Sequence, residues 1–353
     1  MKIKAKNIIF IAAYCILAFL FLEAAARLVV FKTPFLDMQQ RLDSESLYRL
    51  KLVKSRNPYK YLTPRIITTY NSARGWVHKP NLSSDRWGEL HTNSKGMRGR
   101  EEYPYEKTGN KIRILAIGDS LTFGYEAADN QTYPYYLENA LKGSEVLNTG
   151  VGGYGHDQML LYLKEEGIRY NPDIVILGFV SGNMSRNMLN FQHLPKPKFE
   201  YVHGELRLIN VPVPTAASLV KGEFFRLKIV DLFSIIKDKY FRKSGWEREK
   251  ERITEGILDE MVKTIRACHA KVLFVHILTP KEVASIDTFK VKAQEDYFLQ
   301  YCLSRGVPYL STHAAFSATI KNGINLRTSG HWDARGNYII AQAISDYLKN
   351  NND

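Results

Sequence analysis

The sequence predicts an α/β fold, a three-layer α/β/α sandwich built on a parallel sheet and preceded by an N-terminal transmembrane helix. Short runs that are apolar almost end to end alternate with segments of helical spacing. Strands of that kind are buried on both faces, as in parallel sheets covered by helices on either side. At the N-terminus, Lys2, Lys4 and Lys6 precede the apolar run Ile8–Leu22, which Leu28–Phe31 extends. A bilayer crossing takes roughly 20 residues, so Ile8–Phe31 is long enough.

The elements follow in order. Ile112–Ile117 is a buried strand that ends in Gly118-Asp119-Ser120. Tyr133–Leu141 has helical spacing, Val146-Leu147 is a second strand, and Asp157–Arg169 is amphipathic. Asp173–Val180 is a third strand. Helices over about Arg248–His269 and Phe289–Ser304 each lead into a strand, Lys271–Leu278 and Val307–Leu310, and a helix over about Arg335–Lys349 closes the chain. Residues 185–246 interrupt the alternation with Pro195, Pro197, Pro212 and Pro214 and an apolar-basic helix around Leu219–Tyr240. Insertions at the carboxyl ends of parallel strands tend to lie over the active site. Residues 66–110 show little periodicity and read as loops packed on the main domain. The expected organisation is a cytoplasmic n-region and transmembrane anchor over 1–31, a basic juxtamembrane and lead-in segment over 32–110, and the main domain over 111–353 with its insertion at about 185–246.

Composition narrows the function. At 45% hydrophobic and 24% charged residues, a packed core is expected and wholesale disorder is not. Forty-nine Lys and Arg against 36 Asp and Glu leave a net charge of +13, which suits an anionic partner. Arg49, Lys51, Lys54, Arg56, Lys60 and Arg65 form a stretch without an acid, either a solvated face or a contact with anionic headgroups or glycan. The leading lysines predict the N-terminus inside and the body outside. Glu23 and Arg27, four apart, are expected to pair on one helical face near the far interface. Ala24-Ala25-Ala26 also fits a signal-peptide cleavage site; an uncleaved anchor is the reading adopted, and both readings export the body. Of three cysteines, Cys15 lies in the apolar run, and Cys268 and Cys302 are either two buried thiols or one disulfide. They lack CxxC spacing, so no metal site is expected. No recognition motif accompanies the basic charge, so nucleic acid is not an expected partner.

Four places carry chemistry. Ser120, at a strand-to-helix turn, can present its hydroxyl at the sheet edge with its own N–H free to donate. Gly150-Val151-Gly152-Gly153-Tyr154-Gly155 lets backbone approach a ligand closely, and no Gly-Lys-Ser/Thr ending marks it for phosphate. Asn183, in Ser181-Gly182-Asn183, carries an amide that could donate to an oxyanion. His331, just before the last helix, could take a serine proton.

Their order resembles the block order of the SGNH/GDSL hydrolase family. Arg113–Gly124, containing Gly118-Asp119-Ser120-Leu121, is similar to the first block, and Asn148–Gly155 to the second, with Gly153 matching the oxyanion glycine. Pro172-Asp173 through Gly182-Asn183 resembles the third block, and His331-Trp332-Asp333-Ala334-Arg335-Gly336 the last. Asn93–Gly99 resembles a lead-in of membrane-anchored bacterial members. The resemblance implies a flavodoxin-like sheet, no cofactor and ester chemistry: Ser120 attacks, His331 takes the proton, and Ser120 N–H, Gly153 N–H and the Asn183 side chain hold the oxyanion.

Two features depart from the family pattern. Met184 stands where Asp usually follows the asparagine, and Thr328 and Ser329 stand where an Asp usually precedes the histidine. A Ser–His dyad is therefore expected, with Asp333 a possible acid that more readily caps the last helix. The function expected is an extracytoplasmic serine esterase on O-acyl, mainly O-acetyl, esters of envelope or extracellular glycans or lipids. It would be held in the inner membrane by a single span, with its catalytic domain periplasmic or extracellular. The alternatives are an O-acyltransferase to a sugar hydroxyl and a non-catalytic glycan-binding protein.

Overall fold

The computed structural model describes residues 5–31, 34, 45–54, 67–107, 109–192, 194–240 and 244–351. Helix α1 (Ala5–Phe31) is followed by α2 (Glu45–Lys54) and by two short antiparallel hairpins, β1 (Thr68–Asn71) with β2 (Gly75–His78), and β3 (Ser83–Ser84) with β4 (Leu90–His91). These hairpins lie where the sequence suggested loops. Then come β5 (Ile112–Gly118), α3 (Ser120–Phe123), α4 (Tyr133–Ala140), β6 (Ser144–Asn148), α5 (His156–Glu165), β7 (Ile174–Phe179) and α6 (Gly182–Arg186). The insertion supplies the hairpin β8 (Lys198–Val202) and β9 (Glu205–Ile209), then α7 (Ala216–Phe225) and α8 (Lys228–Tyr240). The chain ends with α9 (Ser244–Ala267), β10 (Lys271–His276), α10 (Pro280–Val283), α11 (Phe289–Ser304), β11 (Tyr309–Ser311), α12 (His313–Lys321) and α13 (Ala334–Asn350).

The five-stranded sheet has the order β6-β5-β7-β10-β11, all parallel. Counted along the sheet's own strands this is 2-1-3-4-5, and the order reverses between β5 and β7, where a crevice opens at the carboxyl ends. Alternation along β5 divides the core. Leu115 and Ile117 face a layer built with Met159, Leu160 and Leu163 of α5, Ile257 and Met261 of α9 and Phe298 of α11. Ile114 and Ala116 face the other layer, with Leu137 of α4, Phe316 of α12 and Ile340 and Ile344 of α13. Arg113, wholly buried on β5, is held by Glu145 at 2.5 Å and by the carbonyls of Pro104, Tyr105 and Tyr170.

Helix α1 is, among the described residues, the one helix long and apolar enough to cross a bilayer, over Asn7–Val30 with a mean hydropathy of 2.5. Glu23 and Arg27 pair on it at 2.8 Å. The apolar-basic helix expected around Leu219–Tyr240 is two helices. Its break has a tertiary cause: the Glu23 carboxylate accepts the N–H groups of Lys228 and Ile229, both at 3.0 Å, and so starts α8 anew. Val30 of α1, Leu47 and Leu50 of α2 and Ile235 of α8 form a small separate core. Of the basic stretch, Arg49 pairs with Glu223 at 3.1 Å. Arg56, Lys60 and Arg65, and the side chains of Lys51 and Lys54, lie outside the described residues, as do Lys2, Lys4 and the Lys6 side chain. Cys268 and Cys302 are both free thiols, and burial pushes the Cys302 thiol up to about 12.

The insertion is fastened to the sheet by a fully buried ion pair. Lys196 Nζ meets Asp157, the second residue of α5, and donates to the carbonyls of Arg186, Leu189 and Pro197 at 3.0–3.1 Å. Burial opposes both charges, pushing the Asp157 carboxyl up and the Lys196 ammonium down. Removing one partner strands the other, so Lys196→Met is expected to cost ~3–5 kcal/mol. Lys196→Met with Asp157→Asn should recover most of that loss in urea unfolding of the detergent-solubilised chain.

Candidate active site

Four strand ends and loops meet at the crevice. β5 ends at Gly118, where a Cβ would lie 2.0 Å from Thr122 Oγ1 and 2.5 Å from the Gly178 carbonyl, so only glycine fits. Asp119 then caps α3: its Oδ1 accepts the Leu121 N–H at 2.9 Å. That turn sets Ser120 at the first helical position, where the backbone N–H has no intrahelical partner. After β6 the chain turns through Gly153 at φ +83°, a left-handed conformation natural to glycine. Trp76 of β2 clamps this turn, its indole N–H donating to the Gly152 carbonyl at 2.9 Å while its own carbonyl accepts the Tyr154 hydroxyl at 2.6 Å. Among the described residues neither the Ser120 nor the Gly153 N–H has a protein partner.

His331 comes from the loop before α13. Trp332 fixes that loop by donating to the Leu278 carbonyl at 2.8 Å and stacking on Phe316 at 4.5 Å. The His331 Nε2 lies 2.9 Å from Ser120 Oγ, across 211 residues of sequence. Its Nδ1 lies 3.3 Å from Glu126 Oε1. Thus a carboxylate stands on the far side of the ring, and it is not the one the sequence suggested. Thr328 and Ser329 are exposed. Asp333, the candidate drawn from sequence, is instead the N-cap of α13, accepting the Gly336 N–H at 3.1 Å.

Glu126 is presented by a braced loop. It sits at φ +67°, and Arg327 holds its other oxygen at 2.5 Å while donating to the Ser329 carbonyl. Beneath it, buried Arg98 binds the carbonyls of Gly124, Ala127 and Glu89 and pairs with Asp129 at 2.5 Å. Asp129 also receives His91 at 2.6 Å. Glu89, His91 and Asp129 are near enough for a metal, but both Asp129 oxygens are taken by Arg98 and His91, so the group serves as a brace. The lead-in Asn93–Gly99 therefore shapes the loop that carries Glu126.

The expected donor set is altered at Asn183. Its side chain is fully buried; Oδ1 accepts the Val180 N–H at 2.6 Å, and Nδ2 donates to the Tyr154 carbonyl at 2.8 Å and approaches Asp119 at 3.5 Å. Asn183 therefore ties β7 to the glycine turn and does not line the cavity. Arg186, at the end of α6, does. Its Nη1 binds Asp119 Oδ2 at 2.7 Å and the Tyr154 carbonyl at 2.8 Å. Its Nε and Nη2 have no partner among the described residues. The cavity over Ser120 and His331 has a volume of about 270 Å³ and is walled by Trp76, Tyr125, Gly153, Arg186, Gln192 and Leu194.

Next to this wall, His78 packs on Phe123 at 3.8 Å, and burial pushes its imidazole down to about 3. The unfolded chain takes up this proton first. The stability contributed by the neutral ring is complete above pH 6.5 and is lost as pH falls toward 3. Neither ring nitrogen has a partner among the described residues. His78→Phe should therefore reduce the acid lability seen in melting curves between pH 6.5 and 4.

A serine hydroxyl hydrogen-bonded to an imidazole, with a carboxylate behind it and free N–H donors beside it, defines an α/β serine hydrolase. The GDSL-like lipase/acylhydrolase family model matches residues 116–339, and the chain belongs to that family, as a serine ester hydrolase. Among solved structures it is similar to an acetylxylan esterase from Geobacillus stearothermophilus, at 15% identity over 69% of this chain and 95% of that one, with a TM-score of 0.41. It is also similar to a member of the lipolytic protein G-D-S-L family from Veillonella parvula, at 12% identity over 67% and 98%, with a TM-score of 0.39. No curated protein matches the sequence.

The Glu126 contact gives a direct expectation. In serine proteases, loss of the triad carboxylate costs ~10⁴ in turnover. Glu126 is partly exposed and shared with Arg327, so Glu126→Gln should lower kcat by a smaller factor, ~10²–10³. Asp333→Asn should leave kcat within a few-fold and the melting temperature little changed, because asparagine caps a helix about as well as aspartate. Steady-state kinetics of the two variants beside wild type decide between the carboxylates.

Proposed function

We propose that the protein is a membrane-anchored, extracytoplasmic esterase that removes short O-acyl groups, chiefly O-acetyl, from glycans or lipids of the cell envelope. The observation that carries this reading is the 2.9 Å hydrogen bond between Ser120 and His331 at the base of a small cavity. Ser120 Oγ attacks the acyl carbonyl while its proton passes to His331 Nε2. Glu126 holds the ring in the tautomer that leaves Nε2 free and offsets the imidazolium charge. The oxyanion is met by the Ser120 and Gly153 N–H groups. Arg186 supplies the third donor, in the role expected of Asn183. His331 then returns the proton to the leaving alcohol, and water releases the acyl group by the same steps in reverse order. A 270 Å³ cavity walled by Trp76, Tyr125 and Leu194 suits a short acyl chain better than a fatty one.

The anchor reading rests on the apolar α1 and its leading lysines, which put the body outside. The enzyme reading gains from Glu126, since a site without an acid would equally suit a glycan-binding protein without catalysis. Water as acceptor is the reading adopted; the cavity opening would also admit a sugar hydroxyl.

Wild type is expected to react with a fluorophosphonate serine probe and to hydrolyse aryl acetate faster than aryl octanoate. Ser120→Ala should lose both, with turnover down at least ~10³-fold. Equal labelling of wild type and Ser120→Ala would refute the catalytic reading. Arg186→Lys, which keeps a cation for Asp119 but withdraws the guanidinium donors, should lower kcat by ~10²–10³ with KM little changed, the behaviour of an oxyanion donor; a change in KM alone would return it to substrate binding.

A further inference from the structure

Helix α8 has two apolar faces, and one of them is uncovered. Ile235 and Leu232 turn inward against Val30, Leu47 and Leu50. Val230, Phe233, Ile236 and Tyr240 recur at three- and four-residue intervals along another face. They are exposed, Phe233 by 67% and Tyr240 by 64%. A large exposed apolar stripe on a helix marks a surface meant for something other than water.

The position of α8 says what covers it. About 24 Å of helix separates Asn7, at the start of the apolar span, from Glu23, at about 1.5 Å per residue. The hydrocarbon core is roughly 30 Å thick. If α1 crosses a bilayer, Glu23 therefore lies at or just within the outer hydrocarbon boundary. Glu23 is the residue that caps α8 through Lys228 and Ile229, and Arg27 reaches the Arg226 carbonyl at 3.4 Å. The first turn of α8 is thus fixed at that same depth. The charges near it are prepared for a poor dielectric. Buried Lys228 pairs with Glu223 at 2.8 Å and Asp231 at 3.2 Å, while Arg226 and Arg49 close the cluster at 2.7 and 3.1 Å. Charges in such surroundings persist when paired. The exposed charges left on this part include Lys221, Lys237 and Lys239, which suit anionic headgroups.

We propose that the outer face of α8 lies in the outer leaflet of the bilayer, with Val230, Phe233, Ile236 and Tyr240 among the upper acyl chains, as a second membrane contact beside α1. This rests on the anchor reading of α1. The contact continues inward to the cavity. Tyr48 of α2, Leu219 of α7 and Leu194 all pack on Phe191, and Leu194 is part of the cavity wall.

The test uses the full chain reconstituted in vesicles of phosphatidylcholine and phosphatidylglycerol. A nitroxide is placed at Phe233→Cys, Val230→Cys, Leu17→Cys or Asp346→Cys, each in a background with Cys15→Ser, Cys268→Ser and Cys302→Ala, and its depth is read from relaxation by oxygen against a water-soluble nickel complex. The expected result is an acyl-chain depth for Leu17, ~5–10 Å below the headgroup boundary for Phe233 and Val230, and free access of nickel to Asp346. Leu17 within the bilayer with Phe233 and Val230 open to nickel would overturn the proposal while leaving the anchor standing. Spin–spin broadening at Phe233 would overturn it in favour of a second copy of the chain. Nickel access at Leu17 would overturn the anchor, and the proposal with it.

Discussion

Asp119 and Arg186 form an ion pair at the point where the sheet order reverses, and three strand ends depend on it. One Asp119 oxygen holds the Leu121 N–H and so shapes the turn that presents Ser120. The other binds Arg186, which also grips the Tyr154 carbonyl of the glycine turn. Asn183 reaches the same carbonyl from β7. The ends of β5, β6 and β7 are thus drawn onto one carboxylate that is almost wholly buried. A buried carboxylate without a charged partner would be costly, so Arg186 is required for the architecture. Its remaining donors then stand at the cavity without further ordering.

The carboxylate behind His331 follows a different logic. It does not come from the histidine's own loop but from the loop after α3, the helix that Ser120 begins. Serine and acid are six residues apart, and the histidine must enter between them from the other end of the domain. Arg327 makes this possible by joining the Glu126 carboxylate to the Ser329 carbonyl, one residue short of Gly330. Arg98 holds the base of the acid's loop through three carbonyls. The rigidity that a short Asp-to-His spacing would give locally is supplied here by two arginines.

These facts explain what the sequence could and could not disclose. The five strands of the central sheet were legible because each is a local apolar run, and the apolar pattern needs no partner to be read; the short hairpins, which lack such runs, were not. Ser120, Gly153 and His331, singled out by the block order and by turns that follow a strand or precede a helix, meet at one cavity. Glu126 was not legible. Its meeting with His331 spans 205 residues and requires a left-handed residue that no local pattern announces. Its nearest clue was topological, since any acid in the loop following the nucleophile turn shares that edge. Asn183 was placed correctly in the chain but given the wrong partner, because position in a block does not say which carbonyl an amide will find. The break between α7 and α8 was hidden for a related reason. Residues 219–240 keep helical spacing throughout, and the competing acceptor, Glu23, lies about 205 residues away.

The division between wall and machinery follows from the same topology. The groups proposed for chemistry all sit on strand ends of the sheet or on loops braced to it. The cavity wall at Gln192 and Leu194 belongs instead to the insertion, tied to the sheet by Lys196 and Asp157 and to α2 by Glu45, which accepts the Asn190 N–H. Phe191 and Leu194 share a cluster with Tyr48 and Leu219. Movement of the helices next to α1 would therefore reach the wall through packed side chains before it reached Ser120. Under the proposed mechanism the fit of the acyl group would be set by the insertion, and the geometry of proton transfer by the sheet.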